Sequence, residues 1–353
     1  MHVPPVRQRQ HSNRPGPAVR VAVGLLMAFC IAGSVDTVRS AEPVRLIFDT
    51  DIGPDCDDVG ATAVLHALAD RGEVRILAMM VSSGGPTALW GPPCLDAINT
   101  YYGRPNIPIG VIRATGPADK SKYNRQIAQE FPNDLKTGKN APEATSLYRK
   151  ILSRQPDHSV VIVTVGYLSN LRALLDSKPD RYSKLDGERL IARKVRLWCC
   201  MGGTWPKGRE WNFHRDTAAT KRAVESWPTP VVFSGYEIGK RIFTGAKLKT
   251  GARADNPIRR AYQLYTGGKN RKSWDQTAVL YAVRGSRGRL KNVWDLKRGY
   301  RNRINPDGSN VWERFPGSQQ SFLVEKMPPA RVAAIIESLM LAPPRLRHSD
   351  GQK

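Results

Sequence analysis

Five carboxylates fall within ten residues at Asp49-Thr50-Asp51-Ile52-Gly53-Pro54-Asp55-Cys56-Asp57-Asp58. Packed together, they repel one another and raise one another's pKa. A hard divalent cation resolves that conflict. Calcium takes roughly six to eight oxygen ligands, bidentate carboxylates and backbone carbonyls among them. Gly53 and Pro54 let the chain fold over such an ion. The spacing is not that of an EF-hand, which needs D-x-[DN]-x-[DN]-G and a terminal Glu. The plainer alternative is a solvated acidic loop whose aspartates cap a helix. A buried strand leading straight into the cluster favours the metal.

A second reading of the same residues is a phosphatase. Asp49 and Asp51 would then be the nucleophile and acid of a haloacid-dehalogenase-like site using Mg2+. That pattern wants Thr or Val where Gly53 stands, and it has no use for Asp55, Asp57 and Asp58.

Such residues act only where secondary structure brings them together. The run 44–48 predicts a short buried strand ending at Asp49. A helix over 59–69 follows, opened by Asp57-Asp58, whose charges suit the positive end of its dipole. Further strands are predicted over 74–81, 107–112, 159–165, 195–200 and 231–234. Helices are predicted over 94–102, 146–154, 168–175, 216–226 and 328–341. Pro306-Asp307-Gly308, between 300–305 and 310–315, reads as a hairpin turn. Apolar strands alternating with helices predict an α/β fold, with an open, mostly parallel sheet flanked by helices, Rossmann-like in its core. Ligands of such sheets bind beyond the carboxyl ends of the strands.

The chain has 353 residues, 41% of them hydrophobic, which suffices for a sizeable core and excludes wholesale disorder. The net charge of +24 invites a nucleic-acid reading. The excess, however, is scattered over 189–196, 253–260, 269–272 and 284–303, as on a solvated basic surface, and no RNP-type motif accompanies it. No specific nucleic-acid partner is expected. Arg7, Arg9, Arg14 and Arg20 precede an apolar run over 21–35, and Val38 and Ser40 suit the −3 and −1 positions of a cleavage site. This predicts a signal peptide over 1–40 and export to a periplasmic or extracellular space. The run is short of the roughly 20 residues that span a membrane. A single domain over 41–345 and a disordered tail over 346–353 complete the expected organisation.

Asp49-Thr50-Asp51-Ile52-Gly53, followed by Asp57-Asp58 and a helix, resembles the opening of the inosine-uridine-preferring nucleoside hydrolase family, with two extra residues before the Asp pair. Asp96-Ala97-Ile98-Asn99 with Ile107-Pro108-Ile109-Gly110 is similar to the family's second helix and strand. Val165-Gly166-Tyr167-Leu168-Ser169-Asn170-Leu171 resembles its T-G-P-L-T-N-L segment. Met201-Gly202-Gly203, with Glu210-Trp211-Asn212-Phe213 and Asp216, resembles its M-G-G and E-F-N-x-x-x-D segments. Trp274-Asp275 resembles its late aspartate. The matches run in order from about 44 to 285.

The resemblance implies Ca2+-dependent hydrolysis of the N-glycosidic bond of ribonucleosides to free base and ribose. It implies one Ca2+ held by Asp51, Asp58, the Val165 carbonyl and Asp275, binding a water and the ribose diol. Asp51 would be the base that deprotonates that water. Asp57, Glu210 and Asn212 would hydrogen-bond the ribose. A nest of carboxylates would stabilise an oxocarbenium-like transition state. Asp49 is expected to shape the loop by hydrogen bonds. Family members often form homo-oligomers.

Some members place a His directly before the late aspartate for pyrimidine cleavage; here Trp274 stands there, as in purine-preferring members, and is expected to stack on the base and favour its protonation. Tyr123, Trp90 and Trp205 are candidates for the opposite face. His214 is a candidate leaving-group acid, although a structural role is commoner. The loop between Gly203 and Glu210 lacks the family's usual ribose-binding Asn, which leaves a modified sugar or another N-ribosyl compound open as the substrate. Cys199 and Cys200 are expected to be buried, and Cys56 could pair with Cys94. The alternative of another class is a basic metal-binding or nucleic-acid-binding protein without catalysis.

Overall fold

Eight strands form the central sheet of the computed structural model, in the order Trp294–Lys297, Gln320–Glu325, Val231–Ser234, Val195–Met201, Val160–Thr164, Val44–Thr50, Val74–Val81, Ile109–Val111. All neighbours pair in parallel except the edge strand Trp294–Lys297, which is antiparallel. Helices flank the sheet, as expected for an α/β protein of this class. The structure describes residues 42–113 and 116–345, with Gly16 before them. Contacts divide the chain into Met1–Ala41 and Glu42–Lys353. The expected signal peptide, Gly16 apart, and the expected tail lie outside the described residues. Among the described residues no helix is long and apolar enough to cross a membrane.

The strands read as unbroken apolar runs because both faces of the sheet are covered. Leu46 and Phe48 enter one core while Ile47 enters the other; Val161 and Val163 oppose Val160 and Ile162 in the same way. Each such buried aliphatic side chain contributes about 1.5–3 kcal/mol. The strand Val44–Thr50 pairs with Val74–Val81 on one side and with Val160–Thr164 on the other. Strand order therefore reverses at Val44–Thr50, and the crevice at such a switch point is where open α/β sheets take ligands.

Several expectations need correction. The helix expected from Cys94 starts at Gly85 and runs to Tyr101 through Pro92 and Pro93. Those prolines have no N–H for the carbonyls four residues back, Ala88 and Leu89. The backbone of Gly138 packs against both, where a Cβ would stand 1.8 Å from the Ala88 oxygen. The strand expected over 107–112 shortens to Ile109–Val111. The strands Trp294–Lys297 and Gln320–Glu325 were not expected. Cys56 and Cys94 do not pair; both are buried and free, as are Cys199 and Cys200. The expected hairpin does form, Tyr300–Ile304 against Asn310–Arg314, with Gly308 at φ +79° in its turn.

One buried histidine sets a pH dependence. His66, in the helix Asp57–Asp70, donates from Nε2 to Asn99 Oδ1 at 2.9 Å and stacks on Tyr102 at 4.5 Å. Burial, then the nearby Arg104 charge, lowers its pKa to about 3. The unfolded chain therefore binds a proton below about pH 6.5 that the folded chain refuses, so stability falls with pH there. In urea unfolding, the stability advantage of wild type over His66→Phe is expected to shrink by about 2 kcal/mol between pH 7 and 5. A constant difference would contradict the neutral assignment.

Candidate active site

The loop after the first strand is fixed by its own side chains. Asp49 is buried and takes Tyr148 Oη at 2.8 Å and Asn170 Nδ2 at 3.1 and 3.2 Å. Burial pushes its pKa up to about 7 against those hydrogen bonds. It braces the loop, in keeping with the sequence. The Thr50 hydroxyl donates to the Asp58 carboxylate, and its oxygen accepts the Ile52 N–H at 3.0 Å. Gly166, after Val160–Thr164, lets the chain pass against Asp51, where a Cβ would lie 2.3 Å from the Asp51 nitrogen.

The two extra residues are pinned from outside. Tyr265 donates to the Pro54 carbonyl at 3.0 Å and Tyr123 to the Asp55 carbonyl at 2.7 Å. Arg271 grips both Asp55 carboxylate oxygens through Nε, at 3.0 and 2.9 Å. Arg271 thus belongs to the cavity wall and not to a solvated basic surface, which corrects the reading of 269–272. Its place three residues before Trp274 was the signal that sequence reasoning passed over.

Asp57, Asp58 and Asp275 converge, with one carboxylate oxygen of each lying within 4.8 Å of the others, and all three are buried. Asp51 and Asp58 lie within hydrogen-bonding reach of one another. Burial first, then like charge, pushes the pKa of Asp57, Asp58 and Asp275 upward; Asp51 rises by burial and the Asp57 charge, against its hydrogen bond to Asp58. No Lys or Arg forms an ion pair with these four among the described residues; Arg271 is taken by Asp55. An all-oxygen set short of positive charge fits a hard divalent cation. The grouping brings in Asp57, which the sequence reading gave to the ribose. Asp57 Oδ2 also accepts the N–H groups of Trp274 and Asp275, at 3.2 and 3.3 Å, at the start of the helix Trp274–Arg284.

Glu210 is buried and caps the short helix Trp211–Arg215, accepting from Asn212 N at 2.9 Å and Phe213 N at 3.1 Å. Burial pushes its pKa up to about 7. Asn212 Nδ2 reaches the Val165 carbonyl at 3.4 Å. Asp51, Asp57, Asp58, Val165, Glu210, Asn212, Trp274 and Asp275 all line one cavity of about 650 Å³. Its wall also holds Trp211, Tyr236, Tyr265, His214, Arg209 and Arg271. Trp274 is packed: Tyr236 stacks on it at 5.4 Å, and the Arg271 guanidinium lies 5.5 Å from its ring centre. Trp211 is the open ring, 49% exposed. The three rings named for the opposite face do not line the cavity. Tyr123 is buried, Trp205 stacks on Phe322 at 3.8 Å, and Trp90 carries Arg125 over its ring.

Fold and site together describe an open α/β protein with a buried carboxylate nest at its switch point, able to hold a metal ion beneath an aromatic rim. The inosine-uridine preferring nucleoside hydrolase profile matches residues 46–305, and the chain belongs to that family. The pyrimidine-specific ribonucleoside hydrolase RihA of Escherichia coli O1:K1 is 30% identical over 199 residues, which cover 53% of this chain and 59% of that protein. The chain thus spans under two thirds of that relative's length. A purine-preferring ribonucleoside hydrolase from Gardnerella vaginalis superposes with TM-score 0.64 at 15% identity, covering 84% of this chain and 98% of its own. The inosine-uridine preferring nucleoside hydrolase from Bacillus anthracis gives 0.62 at 14%, covering 84% and 98%. At such identities the structures speak for the fold.

The nest makes a stability prediction. Ca2+ at 100 times its Kd should stabilise the protein by about 2.7 kcal/mol, because only the folded chain assembles the ligands. Asp275→Asn removes a like charge, so it should leave the metal-free melting temperature unchanged or higher and abolish most of the Ca2+ response. A scanning-calorimetry titration in which the variant still responds fully would contradict the grouping.

Proposed function

We propose that this chain hydrolyses the N-glycosidic bond of ribonucleosides, purine nucleosides ahead of pyrimidine ones, with Ca2+ as its cofactor. The observation that carries the reading is the convergence of Asp57, Asp58 and Asp275 on one buried point of the cavity. Those three, with Asp51 and the Val165 carbonyl, would hold the ion. Bound there, Ca2+ supplies a lowered pKa for its water and a fixed charge for the ribose diol.

The chain's own groups do the rest. Asp51 takes the proton of the attacking water. The water oxygen bonds to C1′ as the bond to the base nitrogen breaks. Asp57, Glu210 and Asn212 orient the ribose. The surrounding buried carboxylates stabilise positive charge on the sugar ring.

The purine preference rests on the open Trp211 ring, with Trp274, in the position before Asp275, and Tyr236 stacked together beside the same cavity. Stacking and cation–π terms at such rings are worth about 1–2 kcal/mol. Arg271 beside the Trp274 ring is paired with Asp55, and the base leaves with the electron pair of the broken bond and takes up a proton from solvent. The phosphatase reading fails on geometry. Asp49, its nucleophile, is buried, is held by Tyr148 and Asn170, and does not line the cavity. Export by residues 1–40 and assembly as a homo-oligomer complete the reading.

Free ribose should appear from inosine faster than from uridine, and a chelator should stop both reactions. Asp51→Ala should keep the fold by circular dichroism and lose at least about 10²-fold in kcat, the usual scale for a general base. Near-normal turnover in that variant would remove Asp51 from its role. Salt-dependent DNA binding with no sugar released from any nucleoside would favour a non-catalytic binder.

A further inference from the structure

Two arginines line the cavity, and among the described residues only one of them is paired with a carboxylate. Arg271 is paired with Asp55, and Arg215 with Asp119 at 3.0 Å. Arg209 is exposed and lines the cavity. Its Nε donates to the Asp307 carbonyl at 2.9 Å, and among the described residues its two terminal nitrogens have no carboxylate within pairing distance. The Asp307 carboxylate is turned to its own loop, where it takes the Ser309 N–H at 2.9 Å and hydroxyl at 2.6 Å.

His214 lines the same cavity. Its Nδ1 lies 3.0 Å from the Glu210 carbonyl, which can only accept, so Nδ1 carries the proton and Nε2 is left uncommitted. The turn that anchors Arg209 also backs His214: a Cβ on Gly308 would stand 2.5 Å from the His214 Cα. One hairpin tip therefore holds the Arg209 guanidinium before Glu210 and backs the His214 backbone after it.

We propose that Arg209 is a subsite for a phosphate carried by the substrate, so that the preferred substrate is an N-ribosyl 5′-phosphate such as a purine nucleoside 5′-monophosphate. This rests on the hydrolase reading above. With C1′ and the 2′,3′-diol turned to the acidic floor, the 5′-carbon is the part of the ribose left to reach the rim. The planar guanidinium fork matches a phosphate in two-point contact. Without such a group at the rim, the floor carboxylates would disfavour an anionic substrate.

The test compares kcat/KM for inosine and inosine 5′-monophosphate on the Ca2+-loaded full chain, and calorimetric binding of ribose and ribose 5-phosphate. The monophosphate should be favoured by at least 10-fold. Arg209→Ala should lower the monophosphate-to-nucleoside ratio by at least 10-fold, Arg209→Lys by less, and Arg209→Ala should erase the binding advantage of ribose 5-phosphate over ribose. Inosine favoured, with the same ratio in Arg209→Ala, would overturn the subsite and leave the hydrolase reading standing. Neither substrate cleaved, with ribose 5-phosphate still bound through Arg209, would overturn the hydrolase reading and keep the subsite. Neither cleavage nor phosphate-dependent binding would overturn both.

Discussion

Four carboxylates enclosed together cannot all stay charged without a counter-charge. Asp51, Asp57, Asp58 and Asp275 are each about 5% exposed or less, and burial and mutual repulsion push all four toward the protonated form. Among the described residues, the arginine close enough to help, Arg271, is held by Asp55. Two resolutions remain: shared protons or a bound cation. A cation turns the cost of burying like charges into binding energy for the ion. The rest of the proposed site follows from where such an ion would sit.

The fold delivers the carboxylates by topology. Asp51, Asp57 and Asp58 come from the loop leaving Val44–Thr50, and Val165 from the end of the neighbouring Val160–Thr164. Asp275 arrives from more than two hundred residues further on, at the start of a helix whose first N–H groups Asp57 accepts. Asp57 thus both contributes to the nest and locks the distant helix to the loop. The aromatic and basic groups above are set by separate devices, the pinned insertion at Pro54–Asp55 and the hairpin tip at Gly308.

Much of this was legible because it is written locally. Five acids in ten residues after a buried strand, an apolar run ending at Gly166, and Trp274-Asp275 opening a helix each announce themselves at short range. The sheet's last two strands do not. Trp294–Lys297 is the edge strand and Gln320–Glu325 lies next to it; both are partly exposed and carry charged residues, so they lack the unbroken apolar signature of the inner strands. The helix Pro257–Thr266 carried readable signals in its Asn256 cap and left-handed Gly267, yet its basic residues drew it into the account of surface charge. Arg271 and Arg209 were obscure for another reason. In a chain of net charge +24, only the fold tells an arginine that faces a cavity from one that faces water.

Diffraction from crystals grown with Ca2+ puts the central claim to the most direct test. The account predicts one strong peak among the carboxylates of Asp57, Asp58 and Asp275, with Asp51 and the Val165 carbonyl around it. Density showing those carboxylates bonded only to one another, with Ca2+ elsewhere on the molecule or nowhere, would contradict it.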